Sequence, residues 1–251
     1  MHQASSVVRR LFSDGASIVA LCEMDVESAA RLQKHLGSMD LDVLVACDRV
    51  GKSRWDIVVV SDRQRVRCEG TGPQTTRHLG TVIRSAQSFD VLTASGSSFR
   101  LYVAHWRSRL GSSGHDWRKR AAIGLCKAIS DDLETDRAVV VLGDFNEEPF
   151  DSALAALHAV RDPRLVCRHP KELLFNASWS LAGPPRSRPW GTFGSYGYGG
   201  RTSLAYQLDQ ALVSAHFLAE HERKAPVARN SETEGASHTF GGHLPLELEL
   251  Q

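Results

Sequence analysis

Val139-Val140-Val141-Leu142-Gly143-Asp144-Phe145-Asn146 is a run of branched apolar residues that stops at a glycine and gives way to polar ones. Such a short apolar run predicts a buried strand, here Ala138 to Leu142. Just past its end, Asp144 and Asn146 are two residues apart. In an extended segment this spacing puts both side chains on one face and points Phe145 the other way, into the core. On spacing alone two readings weigh equally. The polar pair can bond local backbone in a turn, or it can present hard oxygen and amide groups at the edge of a crevice.

Working outward, the same pattern recurs. Ser17-Ile18-Val19-Ala20-Leu21-Cys22 reads as a buried strand ending at Glu23. Asp25 can cap a helix over Val26 to Leu36, closed by Gly37. Leu41 to Ala46 and Trp55 to Val60 read as strands, and Ser98 to Ala104 as a strand that delivers His105. Asp116 opens a helix whose apolar face carries Trp117, Ala121, Leu125, Ala128, Ile129 and Leu133. Asp151 or Ser152 is expected to cap a further helix through Val160. Ala177 to Leu204, rich in Gly, Pro, Ser and aromatics, reads as a functional or partly disordered loop. Tyr206 to Val213, containing Asp209, and Leu244 to Leu250, just after His243, read as strands. Short strands alternating with amphipathic helices predict a mixed α/β layering. No shift in composition marks a linker, so residues 1–251 are read as a single domain.

The composition fits an ordinary soluble protein, 42% hydrophobic and 24% charged, and 251 residues suffice for a sizeable core. With 30 Lys+Arg against 29 Asp+Glu, the net charge of +1 argues against coating duplex DNA through bulk charge, but not against a local basic groove. The five cysteines, Cys22, Cys47, Cys68, Cys126 and Cys167, show no zinc-type spacing and read as reduced, mostly buried thiols. With no apolar run of membrane-spanning length and no signal core in Met1 to Arg10, the expectation is a cytoplasmic protein without membrane contact.

The polar residues at strand ends are therefore Glu23, His105, Asp144 with Asn146, Asp209 and His243. Carboxylates and Asn suit Mg²⁺ or Mn²⁺, and a nearby histidine can contact phosphate or handle a proton. Arg107 and Arg109 alternate beyond His105 and could grip a phosphate, or belong to a solvated loop. Trp190, Tyr196 and Tyr198 could stack on a base or sugar, or pack their loop.

Val-Leu-Gly-Asp-Phe-Asn followed by Glu-Glu-Pro resembles the signature of the endonuclease/exonuclease/phosphatase superfamily, the DNase-I-like fold. Ile18 to Glu23, His105-Trp106-Arg107-Ser108-Arg109, Leu208 to Ser214 and His243-Leu244-Pro245-Leu246 resemble its other segments, in its order. The resemblance implies an α/β four-layer αββα sandwich of two mixed sheets flanked by helices. It implies a metal-dependent hydrolase of phosphoester bonds, a nuclease or phosphodiesterase, with nucleic acid the leading substrate. Glu23 would hold the Mg²⁺ or Mn²⁺. Asp144 would orient or deprotonate the attacking water, and Asn146 would position a phosphate oxygen. His243 would contact the scissile phosphate, Asp209 would orient His243, and His105 would assist the leaving group. Arg107 and Arg109 would bind substrate.

Two departures qualify this expectation. Gly242 precedes His243 where the family carries Asp, which predicts reduced or altered metal dependence. Met1 to Ser17 reads as a helix, with Val7, Val8, Leu11 and Phe12 on its apolar side, and no strand bearing Asn precedes Ile18. Either the start lies upstream, or the sheet lacks its first strand and leaves an edge for a partner chain. The competing functions are a catalytically weakened module that binds nucleic acid or protein, and a phosphatase of small molecules or lipid headgroups.

Overall fold

The structure is a computed structural model that describes residues 2–47, 49–50, 53–109, 114–181, 193–196, 202–218, 226–230, 243 and 246–250. The chain opens with α1 (His2–Ser13), β1 (Ile18–Leu21), α2 (Val26–Leu36) and β2 (Leu41–Ala46), followed by β3 (Arg49–Val50) and β4 (Ser53–Arg54). Then come β5 (Ile57–Asp62), β6 (Val66–His78), β7 (Thr81–Thr93), β8 (Ser98–His105), α3 (Gly114–Glu134) and β9 (Val139–Asp144). The remainder holds α4 (Ser152–Ala156), β10 (Ala159–Val160), α5 (Pro163–Arg168), β11 (Leu174–Asn176), β12 (Phe193–Tyr196) and β13 (Thr202–Tyr206). It ends with β14 (Asp209–Val213), β15 (Val227–Asn230) and β16 (Leu246–Glu249).

Four layers follow from where the apolar faces go. A seven-stranded mixed sheet, ordered β10-β11-β14-β9-β8-β7-β6, forms the larger layer. It contains the parallel pairs β8/β9 and β10/β11. The smaller sheet, β1-β5-β2, pairs antiparallel throughout. Alternation along the strands sends Ile57 and Val59 to meet Phe89, Val91, Leu101 and Val103 between the sheets. Val58 and Val60 face outward onto Val8 and Phe12 of α1 and Leu32 and Leu36 of α2. The outer face of the large sheet, with Tyr102, Val139 and Val141, packs on Ala121, Leu125 and Ile129 of α3 and Leu154 of α4. The α/β sandwich expected from the sequence is the architecture observed, except that among the described residues only the larger sheet is mixed and the smaller one is antiparallel.

Several local expectations coincide with the structure, others shift. α2 spans Val26–Leu36, and the Asp25 carboxylate accepts from the Ser28 amide at 2.6 Å, as an N-cap should. The helix expected through Val160 stops instead at Ala156. His158 takes a positive φ of 55°, and Ala159–Val160 forms β10 beside β11. The strand expected from Trp55 begins at Ile57, and the one expected from Tyr206 begins at Asp209. The stretch read as a loop carries a short 3-10 helix (Ala177–Leu181) and the β12/β13 pair, while Trp190 and Tyr198 lie outside the described residues. The five cysteines are free thiols, of which Cys47 and Cys68 are buried.

Two backbone features set up the strand ends. Gly143 has φ +139°, and a Cβ there would sit 1.9 Å from the Ala104 carbonyl oxygen of the parallel neighbour β8. Only glycine allows this approach. In the β6/β7 hairpin, the register passes from Gln74↔Ala86 to Thr75↔Arg84, so Ser85 is an extra residue. A bulge of this kind re-aims the side chains beyond it. Arg84 thereby faces the smaller sheet, where its guanidinium lies 5.2 Å over the Trp55 ring.

Candidate active site

Strand register brings the polar residues together. β8 and β9 run parallel with His105 beside Asp144, and β14 runs antiparallel to β9 with Asp209 beside Asp144. His105, Asp144 and Asp209 thus form one row across three adjacent strands. Asp56, one residue before β5, and Glu23, two residues after β1, come from the facing sheet. His243 joins from near the end of the chain.

Two imidazoles converge on one carboxylate. His105 Nδ1 bonds Asp56 Oδ2 at 2.7 Å, and its Nε2 lies 3.9 Å from Asp144 Oδ2. His243 Nδ1 bonds Asp209 Oδ2 at 2.8 Å, and its Nε2 lies 3.8 Å from the same Asp144 oxygen. Each ring is held at Nδ1 by a carboxylate, which fixes its orientation and turns Nε2 toward the centre. Asp56 was not singled out from the sequence. It sits in no motif and meets a histidine 49 positions away. The only signal would have been an acid directly before a strand.

Burial pushes the Asp144 carboxyl up to about 6, reinforced by the Asp209 charge and opposed by His243 and His105. Burial works against charging His105, but the hydrogen bond and charge of Asp56, with Asp144 behind them, win and raise it. The same balance, struck with Asp209, Asp144 and Glu23, raises His243. Beneath them Cys22 reaches the Ala104 carbonyl at 3.7 Å, and burial drives its thiol far up, leaving it neutral.

Asn146 has a φ of 51°, a conformation Asn tolerates well. Its backbone N–H donates to Asp144 Oδ1 at 2.8 Å, so the turn-type bond foreseen for this pair is present. Its side-chain amide donates to Asp144 Oδ2 at 3.0 Å and to the Trp106 carbonyl at 3.1 Å. Both amide hydrogens are engaged, so here Asn146 holds Asp144 rather than offering a donor outward. Phe145 points away and is fully buried, edge-on to Trp106 at 4.7 Å.

The remaining candidates lie at the rim. Arg107 stacks on Trp117 at 5.7 Å. Arg109 bonds Asp151 at 3.0 Å and lies 5.1 Å over Tyr206. Among the described residues neither contacts the Asp144 cluster. Below this rim, the buried Arg118 bonds Glu147 and the carbonyls of Arg107 at 3.2 Å and Ser108 at 3.1 Å. It thereby ties the segment after His105 to the segment after Asn146.

Asp144, Asp209 and His243 can offer one ligand atom each, all within 4.8 Å of one another. Two carboxylates and an imidazole are a donor set that accepts a divalent cation. An ion there would offset the burial of the Asp144 carboxylate and its repulsion with Asp209. Glu23 is exposed, with a φ of 58°, and is not in this group. Gly242 lies outside the described residues. Among the described residues no helix is long and apolar enough to cross a membrane.

The chain is similar in structure to a mannosyl-6-phosphatase from Bacteroides thetaiotaomicron, with a TM-score of 0.66 and 14% identity over 100% of this chain and 91% of that one. It is similar to the human Nocturnin catalytic domain with bound sulfate, with a TM-score of 0.63 and 14% identity over 99% and 86%. TDP2 of D. rerio, complexed with single-strand DNA product, gives a TM-score of 0.61 and 12% identity over 98% and 90%. No curated protein matches at the level of sequence. At these identities the structural likenesses speak for the fold alone. The sequence profile of the Endonuclease/Exonuclease/phosphatase family, however, matches residues 81–233, well over half of the chain, and the protein belongs to that family.

Proposed function

We propose that this protein is a divalent-metal-dependent phosphodiesterase whose leading substrate class is nucleic acid. The observation that carries the reading is the convergence of two carboxylate-held imidazoles on the buried Asp144. Ordinary structural histidines do not come in such a mirrored pair around an acid whose own proton affinity has been tuned toward neutrality. That TDP2 is seen with a DNA product supports the substrate class.

Glu23 would hold the cation, close enough to His243 to bear on it electrostatically, with the acidic Asp144 and Asp209 adding to the field that attracts it. When bound, a cation of this kind neutralises charge on phosphoryl and leaving oxygens. The protein's own residues divide the rest. Asp144 orients the attacking water and takes its proton, a task suited to a carboxyl near 6. Asn146 fixes the Asp144 rotamer through both carboxylate oxygens. His105, held by Asp56 and with its proton affinity raised by it, gives a proton from Nε2 to the departing alcohol. His243, oriented by Asp209, steadies the scissile phosphate. Arg107 and Arg109 would contact a longer substrate at the rim, Arg109 only after exchanging its bond to Asp151 for one to phosphate.

One assay panel tests this. Purified protein is offered bis-p-nitrophenyl phosphate, plasmid DNA, single-stranded RNA and a phosphoinositide, each with Mg²⁺, Mn²⁺ or EDTA. Metal-dependent cleavage of a diester, abolished by Asp144→Ala, is expected. Turnover that survives Asp144→Ala refutes the assignment. Nucleic-acid binding without turnover on any substrate would make the protein a binding module.

A further inference from the structure

The β6/β7 hairpin outgrows the sheet it belongs to. β8 pairs with β7 only as far as Val103↔Gln87, whereas β6 and β7 stay paired out to His78↔Thr81. Continuing the β7/β8 register puts His105, the last residue of β8, level with the Ser85 bulge. The four pairs beyond the bulge, Thr75↔Arg84 to His78↔Thr81, therefore form an arm that stands past the strand-end cluster. At a strand's rise it is about 13 Å long. In the strand order it rises on the His105 side of Asp144, with Asp209 on the other side.

The outer face of the arm is anchored on α3. Ile83 is buried in one cluster with Ala121, Ala122 and Leu125, and a Cβ at Gly124 would lie 3.0 Å from Thr76. The inner face carries Arg84 and, one pair further out, Arg77 and Val82, because alternate residues of a strand share a face. At the tip Leu79 is 89% exposed, with a φ of 46°. From Gly70 to Gln87 the sequence contains no Asp or Glu. Elsewhere on the surface basic side chains are neutralised, Arg31 by Glu27, Arg63 by Asp40 and Asp42, Arg65 by Asp62 and Arg67 by Glu69. Arg77 on the arm and Lys119 and Arg120 near the start of α3 form no ion pair among the described residues. Arg120 lies one turn before Gly124 on the same side of the helix, and so next to the arm.

We propose that this arm docks duplex nucleic acid on the leaving-group side of the scissile phosphate, with Arg77 and Arg120 meeting backbone phosphates. The placement rests on the phosphodiesterase reading above, in which His105 protonates the leaving alcohol. Cations without acidic partners beside a stretch free of acids complement a polyanion, and each phosphate they neutralise releases bound counterions. A two-stranded ribbon is narrow enough to enter the major groove of a duplex, about 12 Å wide. A lipid surface would call for a broad apolar face, whereas Leu79 stands alone between His78 and Gly80. In the groove Leu79 gives apolar contact and the threonines of the arm give hydroxyls.

The test separates binding from turnover. Fluorescence anisotropy follows a short labelled DNA duplex, its separate single strand and vesicles of phosphatidylcholine with phosphatidylserine, between about 50 and 200 mM salt. The full chain carries Asp144→Asn so that nothing is cleaved, alone or with Arg77→Gln, Arg120→Gln or Leu79→Ser. None of these three positions belongs to the strand-end cluster, so in the wild-type background each should leave turnover of bis-p-nitrophenyl phosphate unchanged. The duplex is expected to bind more tightly than the single strand. Arg77→Gln and Arg120→Gln should each weaken duplex binding about five- to tenfold at 0.1 M salt and flatten its salt dependence by about one unit of slope. Leu79→Ser should weaken it with the slope unchanged. The proposal is overturned if Arg77→Gln leaves affinity and slope as they were, if the single strand binds as tightly as the duplex, or if the substitutions weaken vesicle binding instead. Diester turnover with a duplex affinity indifferent to Arg77 would sink the arm and leave the function standing. Duplex binding that depends on Arg77, without turnover of any diester, would do the reverse.

Discussion

Glu147 and Arg118 provide the sharpest test of how the site is held in place. Both are nearly inaccessible, at 1% and 5% exposed, and they bond side chain to side chain. Burial pushes the Glu147 carboxyl above its ordinary value even with the Arg118 guanidinium beside it, so the pair is held at a desolvation cost. Such a pair adds little net stability, yet removing one partner strands the other charge, at about 3–5 kcal/mol. Glu147→Ala is therefore expected to lower unfolding free energy by about 3–5 kcal/mol, a large part of a typical domain's total. Arg118→Ala should cost at least as much, because it also frees the carbonyls of Arg107 and Ser108. The double variant Arg118→Met/Glu147→Leu, which leaves no charge behind, should cost less than either single change. Urea denaturation of metal-free protein, analysed as a double-mutant cycle, measures all three. A loss below about 1 kcal/mol for Glu147→Ala, or additive losses in the double variant, would refute the account. Because the pair fixes the segment after His105, turnover should fall in both single variants before the fold is lost.

Three further outcomes follow from the site. Gly143→Ala places a Cβ 1.9 Å from the Ala104 oxygen at a φ of +139°, and should fail to fold or melt far below wild type by circular dichroism. The Asp144 carboxyl is raised to about 6 from an unfolded value of 3.8, so wild type loses stability as pH rises from about 4 through 6. In EDTA at pH 8, Asp144→Asn should thus be more stable by up to about 3 kcal/mol, the gain vanishing near pH 4, and equal melting curves at pH 8 would contradict this. Asp56→Asn should lower diester turnover by about 10² to 10⁴-fold, with metal affinity unchanged in a Mn²⁺ titration, and should add little to His105→Ala. Full additivity of the two changes would show that Asp56 does not act through His105.

The parts of this architecture that follow from local pattern were legible in the sequence. The apolar runs ending at Glu23, His105 and Asp144 emerge as β1, β8 and β9, and Asp25 caps α2 where its side chain can reach the Ser28 amide. The β6/β7 hairpin was not legible. β6 is an edge strand, half exposed, and its Gly70, Gly72, Pro73 and Gln74 carry no apolar alternation. The helix expected up to Val160 failed for the opposite reason. Its apolar residues were real, but they serve a short α4 and then a strand beside β11, a pairing that no local signal announces. Asp56 and Arg118 stayed hidden because their importance lies in partners 49 and 29 positions away.

What turns scattered strand ends into a site is register. The side chains of neighbouring strands meet only when their pairing places equivalent positions opposite one another, and a slip of one residue reverses every face. Here Gly143 enforces that alignment, since the close passage of β9 against the Ala104 carbonyl sets His105 beside Asp144. The same strand pairs Asp144 with Asp209 on its other side. A glycine whose lack of a side chain looks like a mere strand break therefore decides which acid sits between the two imidazoles. The Ser85 bulge acts likewise on β7, two strands away, aiming Arg84 inward to Trp55 and Asp56 instead of outward to α3. The geometry of the strand-end cluster and the placing of Arg84 against Asp56 are both consequences of backbone irregularities, which is why motif residues alone identify the centre of this site but not its reach.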